Sequence, residues 1–267
     1  MNTKALTYKE FENMYGAYQK DNKTRADHLF FTSSILNERL ISIGAAQSFV
    51  TNEKSLIYLI YGATRRLFMI KTSFTELIEV APIERTAALS DDEVSTIEIH
   101  LNSILINIFG LIDCLLWTTL YHSDVDPEPF EKSPMKVRFN KSFFQKIELG
   151  SKKTSSLLNF DAWLTDFKSK RNSSAHKIPY YVPPSSIEES ERQKYIELNE
   201  QLGRAMLDID VDEHEKICKE LEELGTFCPM FAQDPFQKPY AIYPTIPDDI
   251  CQLLNLIQVF VDHFKGP

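Results

Sequence analysis

Glycine is scarce in this chain, 8 residues in 267, too few for a sandwich or a loop-rich fold. Long Leu/Ile/Lys/Glu stretches point instead to helices. Positive charge is also in deficit: 29 Lys and Arg stand against 38 Asp and Glu, a net charge of −9. Sequence-blind nucleic-acid binding needs many phosphate-neutralising cations, so any such contact must be local. Paired cysteines are missing as well. Cys114, Cys218, Cys228 and Cys251 are scattered without a CxxC pair, which points to reduced thiols in a cytoplasmic protein. His214 and Cys218 stand at i, i+4 with Cys228 beyond. A tetrahedral site needs a second close ligand pair, so no metal is expected there. The opening stretch Met1-Asn-Thr-Lys-Ala-Leu has no apolar signal-peptide core.

One long apolar run is present, SILINIFGLIDCLLWTTL from Ser103 to Leu120. It carries Asn107 and Asp113 centrally, and a central Asp costs roughly 2.5–3.5 kcal/mol on insertion scales. Its upstream flank is acidic (Asp91, Asp92, Glu93). A buried core helix is therefore expected, and no membrane span.

Helical periodicity runs through nearly the whole chain. Helices are expected over about 7–20, 25–49 and, capped by Thr51 or Asn52, from there to about Val80 before Pro82. Ser90 and Glu93 fit a capping box that opens a helix reaching about His122. Pro127, Pro129 and Pro134 mark 125–138 as a loop. A short helix over 142–149 and another from Phe160 to His176, stopped by Pro179, come next. Tyr180 to Pro184 reads as extended, 190–207 and 212–224 as a charged helical hairpin, 227–247 as irregular, and 247–264 as a last amphipathic helix. The expectation is one all-α domain, its core about residues 25–182 plus 247–264. An insertion at about 183–246 supplies a peripheral helical hairpin and short extended segments.

Against the acidic whole, residues 168–177 stand out. Lys168, Lys170, Arg171, His176 and Lys177 lie there with no acid among them, and such a basic knot is where an anionic ligand would bind. An always-charged guanidinium beside an imidazole that titrates near neutrality has the makings of phosphate chemistry. In a helix Arg171 and His176 are about 140° apart, whereas Asn172 and His176 share a face. RNA cleavage by a 2′-hydroxyl needs a base, a cation on the phosphoryl group and an acid for the leaving oxygen. His176 and Arg171 are of the required types, and a twofold dimer would bring two such pairs together. Asp113, inside the apolar run, needs a partner, for which Arg171 is the candidate. Two plainer readings stand beside this. A basic cluster is what the macrodipole favours at a helix C-terminus, and Asp113 can bond locally.

Arg171-Asn172-Ser-Ser-Ala-His176 resembles the Arg-x(4–6)-His signature of the HEPN superfamily, including the polar residue after the arginine. The helix around Asn107 to Trp117 looks like the upstream HEPN helix with its internal polar residue. The likeness covers about residues 95–184. It implies an α-helical bundle, a homodimer and, in active members, metal- and cofactor-independent endoribonuclease activity of a toxin or defence kind. Arg171 and His176 would take the catalytic positions, with Asn172 and Asp113 supporting and Lys168, Lys170 and Lys177 binding phosphate. Toxins paired with a nucleotidyltransferase antidote carry tyrosine two residues after the histidine, where this chain has Ile178. No antidote is therefore named. Other branches of the superfamily have lost catalysis and bind a nucleotide or a protein partner.

Overall fold

A computed structural model describes residues 32–176, 178–233 and 239–265, excepting the side chains of 173–176. The helix expected over 7–20, and the first residues of the one expected over 25–49, lie outside that set. The described chain is predominantly helical: α1 Thr32–Ala46, α2 Glu53–Ile57, α3 Arg65–Val80, α4 Asp91–His122, α5 Glu128–Glu131, α6 Lys141–Lys146, α7 Ser151–Leu158, α8 Asp161–His176, α9 Arg192–Asp208, α10 Val211–Glu222 and α11 Ile242–Phe264. Two short antiparallel strands, β1 Met230–Phe231 and β2 Tyr240–Ala241, pair Met230 with Ala241 and Phe231 with Tyr240.

The central element is α4. Its start is the expected capping box: the Ser90 side chain accepts from the Glu93 N–H, and Glu93 accepts from the Ser90 N–H at 2.9 Å. Arg85 holds the same carboxylate in a fork at 2.6 and 2.7 Å, a bidentate geometry that adds direction as well as energy. From Ile97 to Tyr121 the buried positions occupy most of the helix circumference, which explains the near-continuous apolar run. α4 is long and apolar enough to cross a membrane, yet half of its most apolar stretch is packed inside the fold.

Asn52 caps α2 by accepting from the Ser55 N–H at 3.1 Å, and Ser55 Oγ donates to the Thr118 carbonyl of α4 at 2.7 Å. Between α2 and α3 the chain stays helical but widens to π geometry over Tyr58–Thr64. One helix runs from Glu53 to Val80 as the periodicity requires, with that interruption as an addition. A π segment leaves no mark on apolar spacing over so short a span. Along its inner face Gly62 meets Cys114, where an added Cβ would sit 2.7 Å from Sγ. Farther along, Ser73 Oγ donates to Ser103 Oγ at 2.9 Å.

α11 closes the bundle with Ile250, Leu253, Leu254, Ile257, Phe260 and Val261 all buried, the positions its periodicity assigns. It begins five residues earlier than expected, at Ile242, with a kink at Tyr243 and Pro247 tolerated near its start. α1 packs on α11 and α3, and Arg39 Nε donates to the Leu254 carbonyl at 3.0 Å. Three differences from the expected outline have local causes. The proline-rich stretch 125–138 holds α5 and a 3₁₀ turn, Pro134–Lys136, because proline suits a first helical turn. α7, opened by Gly150 at φ +81°, has no apolar stripe long enough to declare itself. And the end of the expected insertion, 227–246, packs inward, because its apolar side chains Phe227, Phe231, Tyr243 and Ile246 belong to the main core.

The helical hairpin α9–α10 does stand apart. Leu198, Ala205, Ile217 and Leu224 form a small core of their own. Its root is an antiparallel bridge between Ser186 and Thr226, with N–H···O bonds of 2.8 and 3.0 Å. Phe227 N–H then donates to the Thr86 carbonyl at 2.8 Å, and Leu89 N–H to the Pro184 carbonyl at 3.0 Å. At the far end α9 stops on Ile209, a β-branched residue at φ +55°. Glycine is usual at such a cap, and a branched side chain there costs roughly 1–3 kcal/mol.

Candidate functional site

Three helices meet where the basic knot begins. α4 presents Asn107, Phe109, Gly110, Asp113 and Cys114; α3 brings Arg66; and α8 brings Arg171 and Asn172. Arg66 Nη1 donates to Asn107 Oδ1 at 3.0 Å. The Asn107 amide is oriented in turn by donating to the Ser103 carbonyl at 2.9 Å. A Cβ on Gly110 would sit 2.5 Å from Arg66 Cζ, so the absence of a side chain there lets the guanidinium lie against α4.

The Arg171 guanidinium approaches from the other side. Its Cζ stands 4.8 Å from the Phe109 ring centre, a cation–π arrangement. Its Nη1 donates to Asn172 Oδ1 at 3.1 Å. Phe109 and Asp113 are one helical turn apart on α4, so the arginine that covers the first also faces the second. Asp113 is half-buried. Burial pushes its carboxyl up and the nearby Arg171 and then Arg66 guanidiniums oppose that push, which leaves it at about 6. Burial likewise pushes the Cys114 thiol up, against the pull of Arg66, so it is protonated and unreactive at neutral pH. Two guanidiniums thus flank one half-buried carboxyl and act on it through charge, while their shown hydrogen bonds go to the side-chain oxygens of Asn107 and Asn172.

The sequence-derived set divides here. Arg171, Asn172 and Asp113 come together. Lys168 is exposed on α8. Lys170 is not available to a phosphate: its side chain is 1% exposed and its Nζ is 2.8 Å from Asp249 Oδ2. That expectation is corrected, because Lys170 follows Trp163 and Phe167 at helical spacing and so points inward with them. α8 extends to His176, but the His176 side chain and Lys177 lie outside the described residues. Arg66 escapes the sequence reading. Its one signal is a second arginine directly after Arg65, on a helix whose neighbouring Leu67 and Ile70 are buried. Among the described residues no group of three or more metal-ligating side chains occurs; His214 Nδ1 and Cys218 Sγ are an isolated pair at 3.8 Å. No protein-family model matches the chain, and neither does any curated protein or solved structure.

Proposed function

We propose that this protein is a metal-independent endoribonuclease of HEPN type, acting as a homodimer in the cytoplasm in a toxin- or defence-like role. The supporting observation is the convergence of Arg66 and Arg171 about Asp113 at the foot of the Arg171–His176 segment. In this reading Arg171 holds the scissile phosphate, and Asp113 and Asn172 orient that arginine. Lys168 adds positive charge on the approach. His176 removes the proton of the ribose 2′-hydroxyl as the 2′-oxygen bonds to phosphorus. The bond from phosphorus to the 5′-oxygen breaks, and that oxygen takes a proton from the second imidazole of the dimer. The products are a 2′,3′-cyclic phosphate and a free 5′-hydroxyl. No redox partner enters the balance.

The test is incubation of purified protein with RNA, with products resolved by end chemistry. His176→Ala and Arg171→Ala should each lower cleavage by about 100-fold or more, the scale on which acid–base groups act. Intact RNA with wild type and both variants alike would end this reading.

The burial of Lys170 favours a second reading. With that cation withdrawn, the segment suits a nucleotide-binding module without strand scission. Arg171→Ala would then weaken nucleotide affinity while RNA stays whole.

A further inference from the structure

The far end of the α9–α10 hairpin carries the most conspicuous apolar surface outside the candidate site. The sequence there reads Met206-Leu-Asp-Ile-Asp-Val-Asp-Glu213. Leu207 is 85% exposed and Ile209 83%, and Met206 and Val211 are also well exposed. Asp208, Asp210, Asp212 and Glu213 alternate with or follow these four side chains. The hairpin projects on its own small core from the Ser186–Thr226 root, and α9 alone spans about 25 Å at 1.5 Å per residue. The chain also accepts a left-handed isoleucine at this tip where glycine would relieve the backbone. Strained positions of that kind persist where the side chain has a use.

The complementary surface is on the same chain. The π segment and α3 expose Tyr61, Phe68 and Met69 on their outer side. Arg65 lies exposed among them with its Cζ 4.8 Å from the Tyr61 ring centre. This ridge is apolar with a cationic centre, whereas the tip is apolar with acidic flanks.

We infer that the hairpin is a docking arm, whose tip seats on the Tyr61–Phe68–Met69 ridge of a second copy of this chain. Leu207 and Ile209 supply the apolar anchors, and the tip carboxylates meet Arg65. A pair of copies exchanging arms makes the contact twice. That doubling matters because one tip is small, and a stable interface needs on the order of 1,000 Å² in total. Reciprocal exchange also closes the assembly with twofold symmetry, where a single head-to-tail contact would propagate. The inference is independent of RNA cleavage.

Sedimentation velocity on the full chain over a concentration series tests it. Wild type should show a reversible monomer–dimer equilibrium. Leu207→Asp should weaken it at least about tenfold in Kd, the loss of one well-buried anchor. Ile209→Gly should weaken association while raising the thermal midpoint, since it frees the strained cap; a purely structural residue would not move the two in opposite senses. Arg65→Glu should weaken association, and combining it with Asp208→Lys should restore it in part, Asp208 being chosen because Asp210 accepts from the Glu213 N–H as the cap of α10. A wild type that stays monomeric throughout overturns the inference. So does a dimer indifferent to the tip variants, or one broken by Arg65→Glu that Asp208→Lys does not rescue.

Discussion

Lys170 Nζ lies 2.8 Å from Asp249 Oδ2, and each side chain is 1% exposed. The pair ties α8 to α11 inside the fold. Trp163, two turns before Lys170, donates its indole N–H to the other Asp249 oxygen at 2.9 Å. Burial pushes the Asp249 carboxyl up, and the Lys170 ammonium and these hydrogen bonds oppose that push.

Removing Lys170 therefore leaves the Asp249 carboxylate without its counter-ion in packed surroundings, and removing Asp249 leaves the ammonium with the longer pairing to Asp166 at 3.5 Å. Lys170→Met or Asp249→Leu alone should lower stability by about 3–5 kcal/mol, read as a fall in the urea midpoint. The double variant should recover most of that loss, because a well-packed apolar pair is often as stable as the ion pair it replaces.

Asp113 gives a pH signature of defined sign. Its folded carboxyl titrates near 6, above the ordinary value, so the folded state binds the proton more tightly than the unfolded one. Its contribution is favourable below about pH 4 and is lost as pH rises through about 6. Asp113→Asn should thus stabilise the fold by about 1–3 kcal/mol at pH 7.5 and change little at pH 4, measured by thermal unfolding at the two pH values.

His263 acts in the opposite sense. Burial, the Lys153 ammonium and His122 push it down to about 4. The His122 ring stands edge-on at 6.0 Å, and Asp262 and Asp124 are the acids nearest in sequence to the two rings. A neutral buried imidazole favours the fold above about pH 6.5, and that contribution fades as pH falls toward 4. His263→Phe should flatten the loss of stability between those limits. In wild type this loss and the Asp113 gain overlap and partly cancel, so only the single variants expose each.

Gly110→Ala tests the shared carboxylate. The added methyl would collide with the Arg66 guanidinium, the end of a flexible side chain that can swing aside. Stability should change by less than about 1 kcal/mol, since alanine also favours the helix. The Asp113 carboxyl should titrate higher, because one of its two cations has withdrawn. Carbon-detected NMR titration of the carboxyl reads this directly.

Much of the scaffold was legible because it rests on local rules. The Ser90–Glu93 box, the Asn52 cap and the apolar stripe of α11 each declare themselves within a few residues. That Asp113 would lie within the field of a cation was legible, since a carboxylate inside an apolar run demands one, and Arg171 is near enough to lower its carboxyl. Lys170 and Asp249 were readable in principle: Trp163, Phe167 and Lys170 share one stripe, as do Asp249, Leu253, Leu256 and Phe260. A charge on each of two apolar stripes signals a buried pair, but only the fold shows that the two stripes face each other. Arg66 was hidden for a similar reason. Its role depends on a glycine of another helix, forty-four positions away.

The widened turn at Tyr58–Thr64 sets the phase of everything after it. An additional residue in a helix turns the downstream portion by about 100° relative to an unbroken α-helix. Ser55 ahead of that turn and Arg66 and Ser73 behind it all find α4. Shortening the segment by one residue would rewind the helix and leave one set of these side chains facing water. The spare residue works as a vernier between two stretches of a single rod, and the aim of the second guanidinium depends on its setting.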